Sequence, residues 1–141
     1  MAVGGRLFRA AVYVHMRLYR LSGGRIGGHI GKAPVLLLSH KGRRSGTIRT
    51  TPLLYLAAGE RLVVVASYGG APRHPDWYLN LEAHPDVEVQ TGTTHHSVRA
   101  RTATPEERDR YWPQVVAMYH SYESYQRKTE REIPLVILER A

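Results

Sequence analysis

Val35-Leu36-Leu37-Leu38-Ser39, His40-Lys41-Gly42-Arg43-Arg44-Ser45-Gly46-Thr47 and Ile48-Arg49-Thr50-Thr51-Pro52-Leu53-Leu54-Tyr55-Leu56-Ala57 follow one another without interruption. Two apolar, β-prone runs, Val35 to Ser39 and Ile48 to Ala57, flank a basic loop bracketed by glycines. The pattern reads as two strands and their connection. Lys41, Arg43, Arg44 and Arg49 fall within nine positions. They cannot all enter a core, because an unpaired buried charge is heavily penalised. An anion is the natural guest of such a loop, since the planar arginine fork offers two parallel hydrogen bonds to a phosphate or carboxylate. A solvated hairpin turn with a basic tip fits the same residues, and this segment alone does not separate the two.

Further along, Leu62 to Ser67, Val87 to Thr91 and Ser97 to Thr102 read as strands, the last two joined around Gly92. Ile133 to Leu138 is continuously apolar, as in a parallel or central strand. Asp76 to Ala83 reads as a short helix. Thr104-Pro105-Glu106-Glu107 carries a threonine cap, a proline at the first helical position and a glutamate three residues after the cap, so a helix runs from there to about Tyr119. About six strands and three helices make an α+β domain built round a mostly antiparallel barrel.

The third helix is N-terminal. Leu7, Ala10, Ala11, Val14, Leu18 and Leu21 recur at helical spacing, Phe8, Val12, Met16 and Tyr19 widen the apolar arc, and Arg6, Arg9, Arg17 and Arg20 fall on a neighbouring stripe. Two placements fit: flat on an anionic membrane, or packed on the barrel with snorkelling arginine stems. Ser22 to Gly31 is a glycine-rich link. The expected organisation is therefore residues 1–31 as helix and link, and residues 32–141 as the barrel domain.

The 141 residues carry 20 Lys+Arg against 12 Asp+Glu, a net charge of +8, and no cysteine. Thiolate metal sites, disulfides and cysteine nucleophiles are excluded. The charge favours anionic partners. No apolar run approaches the ~20 residues of a membrane span. Neither a phosphate-binding Walker loop nor a dinucleotide-binding glycine fingerprint is present. His95-His96 is the one histidine pair, and neighbours on a strand face opposite sides, so no metal is expected there.

Three further segments carry chemistry. Ser67-Tyr68-Gly69-Gly70 ends an apolar strand, and its glycines let the chain turn with backbone donors presented outward. Trp77 and Asn80 share one face of a helical turn, where an indole and an amide can border a planar ring, although Trp77 taken alone fits core filling better. Tyr119, Tyr122 and Tyr125 sit at intervals of three, which gathers their hydroxyls if the segment is helical. Nine tyrosines against one phenylalanine fits a preference for hydroxyls, and fits equally tyrosine's frequency on surface helices.

Taken in order, these blocks resemble the deazaflavin-dependent nitroreductases, also described as F420H2-dependent quinone reductases. The matching stretches are Leu36 to Leu53, Val63 to Gly70, His74 to Val87, Ala103 to Arg108 and Tyr111 to Gln126. The resemblance implies a split β-barrel, related to flavin-binding barrels, with reduced coenzyme F420 in a groove. It implies that the loop of Lys41, Arg43, Arg44, Ser45, Gly46 and Arg49 holds the coenzyme's phosphate and oligoglutamate tail. Pro52 and Leu54 then line the groove, Ser67, Tyr68 and Gly69 flank the ring, and Trp77 and Asn80 border it. Tyr119, Tyr122 and Tyr125, with Ser67, are the implied catalytic residues around an acceptor pocket. The implied acceptor is a small quinone, enone or nitroaromatic, reduced by hydride; tyrosine and water are both open as proton sources. The implied location is the cytoplasm, on the inner membrane face if the helix lies on lipid. Three other readings compete: an FMN-binding barrel of the same type, a non-catalytic ligand carrier, and a nucleic-acid-binding barrel. The last is disfavoured because the basic residues concentrate in one loop and one helix. Oligomeric state is not encoded legibly.

Overall fold

The computed structural model describes residues 2–140, with side chains from residue 7 onward. The side chain of Arg6, placed above on the arginine stripe, lies outside the described residues. The elements run α1 (Ala2–Ser22), β1 (His29–Ile30), β2 (Ala33–Lys41), β3 (Ile48–Leu54), β4 (Leu56–Ala58), β5 (Arg61–Val65), a 3-10 turn (Tyr68–Gly70), α2 (Asp76–Ala83), β6 (Asp86–Thr91), β7 (Thr94–Thr102), α3 (Pro105–Met118), α4 (Ser121–Lys128) and β8 (Leu135–Arg140).

All strand pairs are antiparallel. The sheet order is β1-β2-β6-β7-β8-β5-β4, with β3 paired to β2. The expected single strand from Ile48 to Ala57 is two. β3 pairs with β2, β4 pairs with β5 at the far edge, and Tyr55 alone separates them. The chain changes partner at Tyr55, so one stretch bridges both sheet edges and curls the sheet into a split β-barrel. β8 is central and antiparallel, between β7 and β5. Its first four residues, Leu135 to Leu138, are apolar because both faces are covered there, and Glu139 and Arg140 end the strand outside the core. Val136 and Leu138 point into the barrel, while Leu135 and Ile137 pack under α3 and α4 with Tyr111, Val115 and Tyr122. β2 repeats the pattern, with Leu36 and Leu38 inward and Val35 and Leu37 against Tyr19 of α1.

Local signals hold where they were strongest. The Thr104 side chain accepts from the Glu107 N–H, and the Glu107 carboxylate accepts from the Thr104 N–H, closing a capping box. The two bonds satisfy donors that the helix start otherwise leaves orphaned. α1 docks through the Met16 and Tyr19 edge of its wide apolar arc, not through the central leucine stripe. Tyr19 is buried at 1% exposure; its hydroxyl donates to Gln90 O and accepts from Gly92 N–H. Leu7, Val14, Leu18 and Leu21 face solvent, at 41–78% exposure. The link after α1 is ordered locally by Ser22 and then pairs as β1 with β2.

Candidate active site

β2, the loop after it, β3 and α2 build one end of a cleft. Gly42 N–H donates to Thr47 O and Gly46 N–H donates to Gly42 O, so the loop folds back on itself. Gly46 takes φ +72°, a left-handed conformation that glycine adopts without strain. The loop is fastened from beneath by Asn80, which is 3% exposed. Asn80 Oδ1 accepts from the Arg43 backbone N–H (3.0 Å) and from its guanidinium (2.9 Å). Asn80 Nδ2 donates to His40 Nδ1 at 3.0 Å, and His40 Nε2 meets Thr51 Oγ1 at 2.9 Å. This network assigns His40 as the neutral tautomer with its proton on Nε2. Burial, reinforced by the Arg49 charge and opposed by Asp76, lowers the His40 pKa.

Arg43 is therefore engaged by the protein itself, its Nη2 lying 3.4 Å from Asp76. Arg44 and Arg49 are exposed, and neither has a carboxylate partner among the described residues. With Ser45 and Gly42 they rim a cavity of about 400 Å³ that also reaches His40, Asp76 and Asn80. Lys41 lies elsewhere: with Ser39 and Ile48 it lines a separate groove that runs towards His84 and Pro85. Successive residues on a strand face opposite sides, so His40 and Lys41 diverge.

The second chamber, about 720 Å³, meets the first at His40, Arg49 and Asp76. Its walls include Pro52 and Leu54 of β3, Ser67, Tyr68 and Gly69 of the turn, Trp77 of α2, and Tyr119, Tyr122 and Tyr125. Phe8, Arg9 and His15 of α1 close one side. The tyrosines do not share one helix: α3 ends at Met118, Tyr119 is extended, and α4 begins at Ser121. The break swings Tyr119 back onto its neighbours. Its ring centroid lies 5.0 Å from that of Tyr122 and 6.4 Å from that of Tyr125, and the Tyr119 and Tyr125 hydroxyls are 3.5 Å apart. Burial pushes the Tyr122 pKa well above the ordinary phenol value, so this hydroxyl keeps its proton at any working pH.

The sequence reading missed His40, Thr51 and Asp76. His40 was hidden because its partners lie 11 and 40 positions away. Asn80 is in the site, but it grips the loop with both ends of its amide. Among the described residues no group of three or more His, Asp or Glu side chains is placed to hold a metal.

The split barrel thus carries a cleft lined by cations at one end and by phenols at the other. The family described as F420H(2)-dependent quinone reductase matches residues 11–140. The chain is 42% identical over 143 residues to the F420H(2)-dependent quinone reductase Rv1261c of Mycobacterium tuberculosis, covering 98% of this chain and 93% of that protein. The solved structure of the F420-H2 dependent reductase FDR-A is 39% identical, with a TM-score of 0.70 over 79% of this chain and 98% of that one. A chain solved as a domain-swapped dimer is 34% identical, with a TM-score of 0.72 over 94% of this chain and 98% of that one. This chain belongs to the F420H(2)-dependent quinone reductase family, and is an oxidoreductase whose cofactor is coenzyme F420.

Proposed function

We propose that the two chambers form one coenzyme-and-acceptor cleft, in which a quinone, an enone or a nitroaromatic is reduced. The observation that carries this reading is the polarity of the cleft: uncompensated Arg44 and Arg49 at one end, an indole and three phenols at the other. The donor set fits F420. Two arginines and Ser45 suit a phosphate and a carboxylate tail, and the Pro52, Leu54 and Trp77 walls of the second chamber suit a planar ring. Reduced F420, when bound, supplies the hydride.

The protein's own residues do the rest. Arg44 and Arg49 hold the acidic end. The Ser67–Gly69 turn and Trp77 fix the ring-side wall. Tyr119, Tyr122 and Tyr125 enclose the acceptor and exclude water. The protonated Tyr122 hydroxyl, with Ser67 as a second donor, hydrogen-bonds the acceptor oxygen as negative charge develops there. Orienting two reactants in contact supplies several kcal/mol of the barrier reduction, ~7 or more in well-aligned cases.

Anaerobic mixing of the protein with reduced F420 and menadione tests the reading. The expected result is catalysed recovery of the oxidised coenzyme's absorbance, with Tyr122→Phe slower by about tenfold or more at unchanged coenzyme affinity. No rate above the protein-free control contradicts the reading, and an unslowed Tyr122→Phe removes the role of that hydroxyl.

The outward face of α1 adds a location to this proposal. Leu7 (74% exposed), Val14 (53%) and Leu21 (78%) form an apolar face, with Arg17 and Arg20 exposed beside it. No helix among the described residues is long and apolar enough to cross a membrane. The pattern instead suits a helix lying on an anionic bilayer, where quinones dissolve. Flotation with vesicles containing anionic lipid will carry the protein up, vesicles of neutral lipid will not, and Leu18→Asp combined with Leu21→Asp will abolish flotation. Equal flotation of that double variant contradicts this placement.

A further inference from the structure

Arg131 follows α4 in the chain and reaches back across the fold to the turn after β5. Its Nε donates to Ala71 O at 2.9 Å, Nη1 to Ala66 O at 3.3 Å and to His74 Nδ1 at 3.1 Å, and Nη2 to Ser67 O at 2.7 Å. All four acceptors lie within residues 66–74, so one guanidinium spans the whole turn. No carboxylate lies within ion-pair distance of Arg131 among the described residues. Its positive charge is thus satisfied by carbonyl and imidazole dipoles alone and is not cancelled.

The turn it holds is unusual. Tyr68, Gly69 and Gly70 are left-handed in succession, at φ +48°, +63° and +81°. A tyrosine in that region carries a steric cost that the surroundings must offset. Gly70 also packs against α4: a Cβ there would sit 2.6 Å from Tyr125 O and 3.0 Å from Tyr125 Cα. The turn bearing Ser67 and the helix bearing Tyr122 and Tyr125 therefore meet at Gly70, and Arg131 ties the same turn to the chain just beyond that helix.

We propose that Arg131 is a positioning residue for the reaction. It locks the Ser67–Gly69 wall against the tyrosine wall, and its uncancelled charge behind the turn favours negative charge developing in the chamber. The inference rests on the functional reading above. Arginine is required because a lysine ammonium cannot span four acceptors in a plane.

The test compares the parent protein with Arg131→Lys and Arg131→Ala in three measurements: calorimetric binding of F420, anaerobic turnover with menadione, and amide hydrogen exchange of residues 66–74. In Arg131→Lys we expect coenzyme affinity within about threefold, because Arg44 and Arg49 are untouched. We expect kcat to fall tenfold to a hundredfold, the scale for misplacing reacting groups by about an ångström. Exchange will quicken in the turn while the barrel strands stay protected, and added guanidinium will restore part of the Arg131→Ala rate. A folded Arg131→Lys with parental kcat and parental exchange overturns the proposal. His74→Ala, which removes one acceptor and keeps Arg131, decides the matter if the Arg131 variants do not fold. A lesser fall in kcat with faster turn exchange supports the clamp, and no change in either refutes it. If the parent neither binds F420 nor turns over, the functional reading has failed instead, and the exchange measurement still reports on the clamp.

Discussion

Replacing Arg44 and Arg49 together by glutamate will weaken F420 binding by at least about a hundredfold, roughly 2.7 kcal/mol. Both side chains are exposed, and neither is held by a carboxylate. The substitution therefore breaks no internal ion pair, and the melting temperature will stay close to that of the parent. It does replace two charge-assisted donors with two repelling carboxylates, and one such donor alone is worth about 1.5–3 kcal/mol. The parent's affinity will fall with salt, since both cations are at the surface, and the variant's residual affinity will not. A deazaflavin lacking the phosphate and tail will bind both proteins alike, because the ring-side walls are untouched. Fluorescence titration measures all three effects. Parental affinity in the variant would show that the tail lies elsewhere.

Asn80→Ala will have the largest effect on stability. Among the described residues its amide alone links Arg43 to His40, and it is 3% exposed. Truncation orphans the Arg43 N–H, one arm of the guanidinium and the His40 Nδ1 lone pair at once. Leaving a buried polar group unpaired costs about 1–3 kcal/mol. Water can reach Arg43, so the net loss should be about 2–4 kcal/mol, lowering Tm by roughly 6–15 °C. Coenzyme affinity will fall with it, because the loop loses its lower fastening. A thermal scan showing a shift under about 2 °C would contradict this account of the loop.

Acid attacks the same network. The hub needs neutral His40, whose pKa is lowered first by burial and then by Arg49. The unfolded chain takes up this proton near pH 6.5. The hub's contribution is thus complete above that pH and is lost as pH falls through the lower folded-state value. His40→Gln can make the same two hydrogen bonds without titrating, so its melting temperature will decline less between pH 7.5 and 5.

Much of this site could be read locally. The basic loop announces itself by charge density and glycine, α2 has the bounds expected of it, and the Thr104–Glu107 box is written in four residues. What stayed hidden depends on partners distant in sequence. Tyr55 breaks a strand because the two halves pair with opposite sheet edges, which no run of apolar residues reveals. His40 looks like any alternating strand residue until Asn80 arrives beside it. Periodicity found the wide apolar arc of α1 but could not say that only its Met16 and Tyr19 edge docks. Arg131 sits in a charged segment that resembles a solvated loop, and its acceptors are 57–65 positions away.

Calorimetric titration with F420 and, separately, with FMN bears most directly on the cleft. The polarised cleft predicts saturable heat at one F420 per chain, suppressed in the Arg44→Glu/Arg49→Glu protein, and no saturable heat with FMN. Heat with FMN and none with F420 would contradict it.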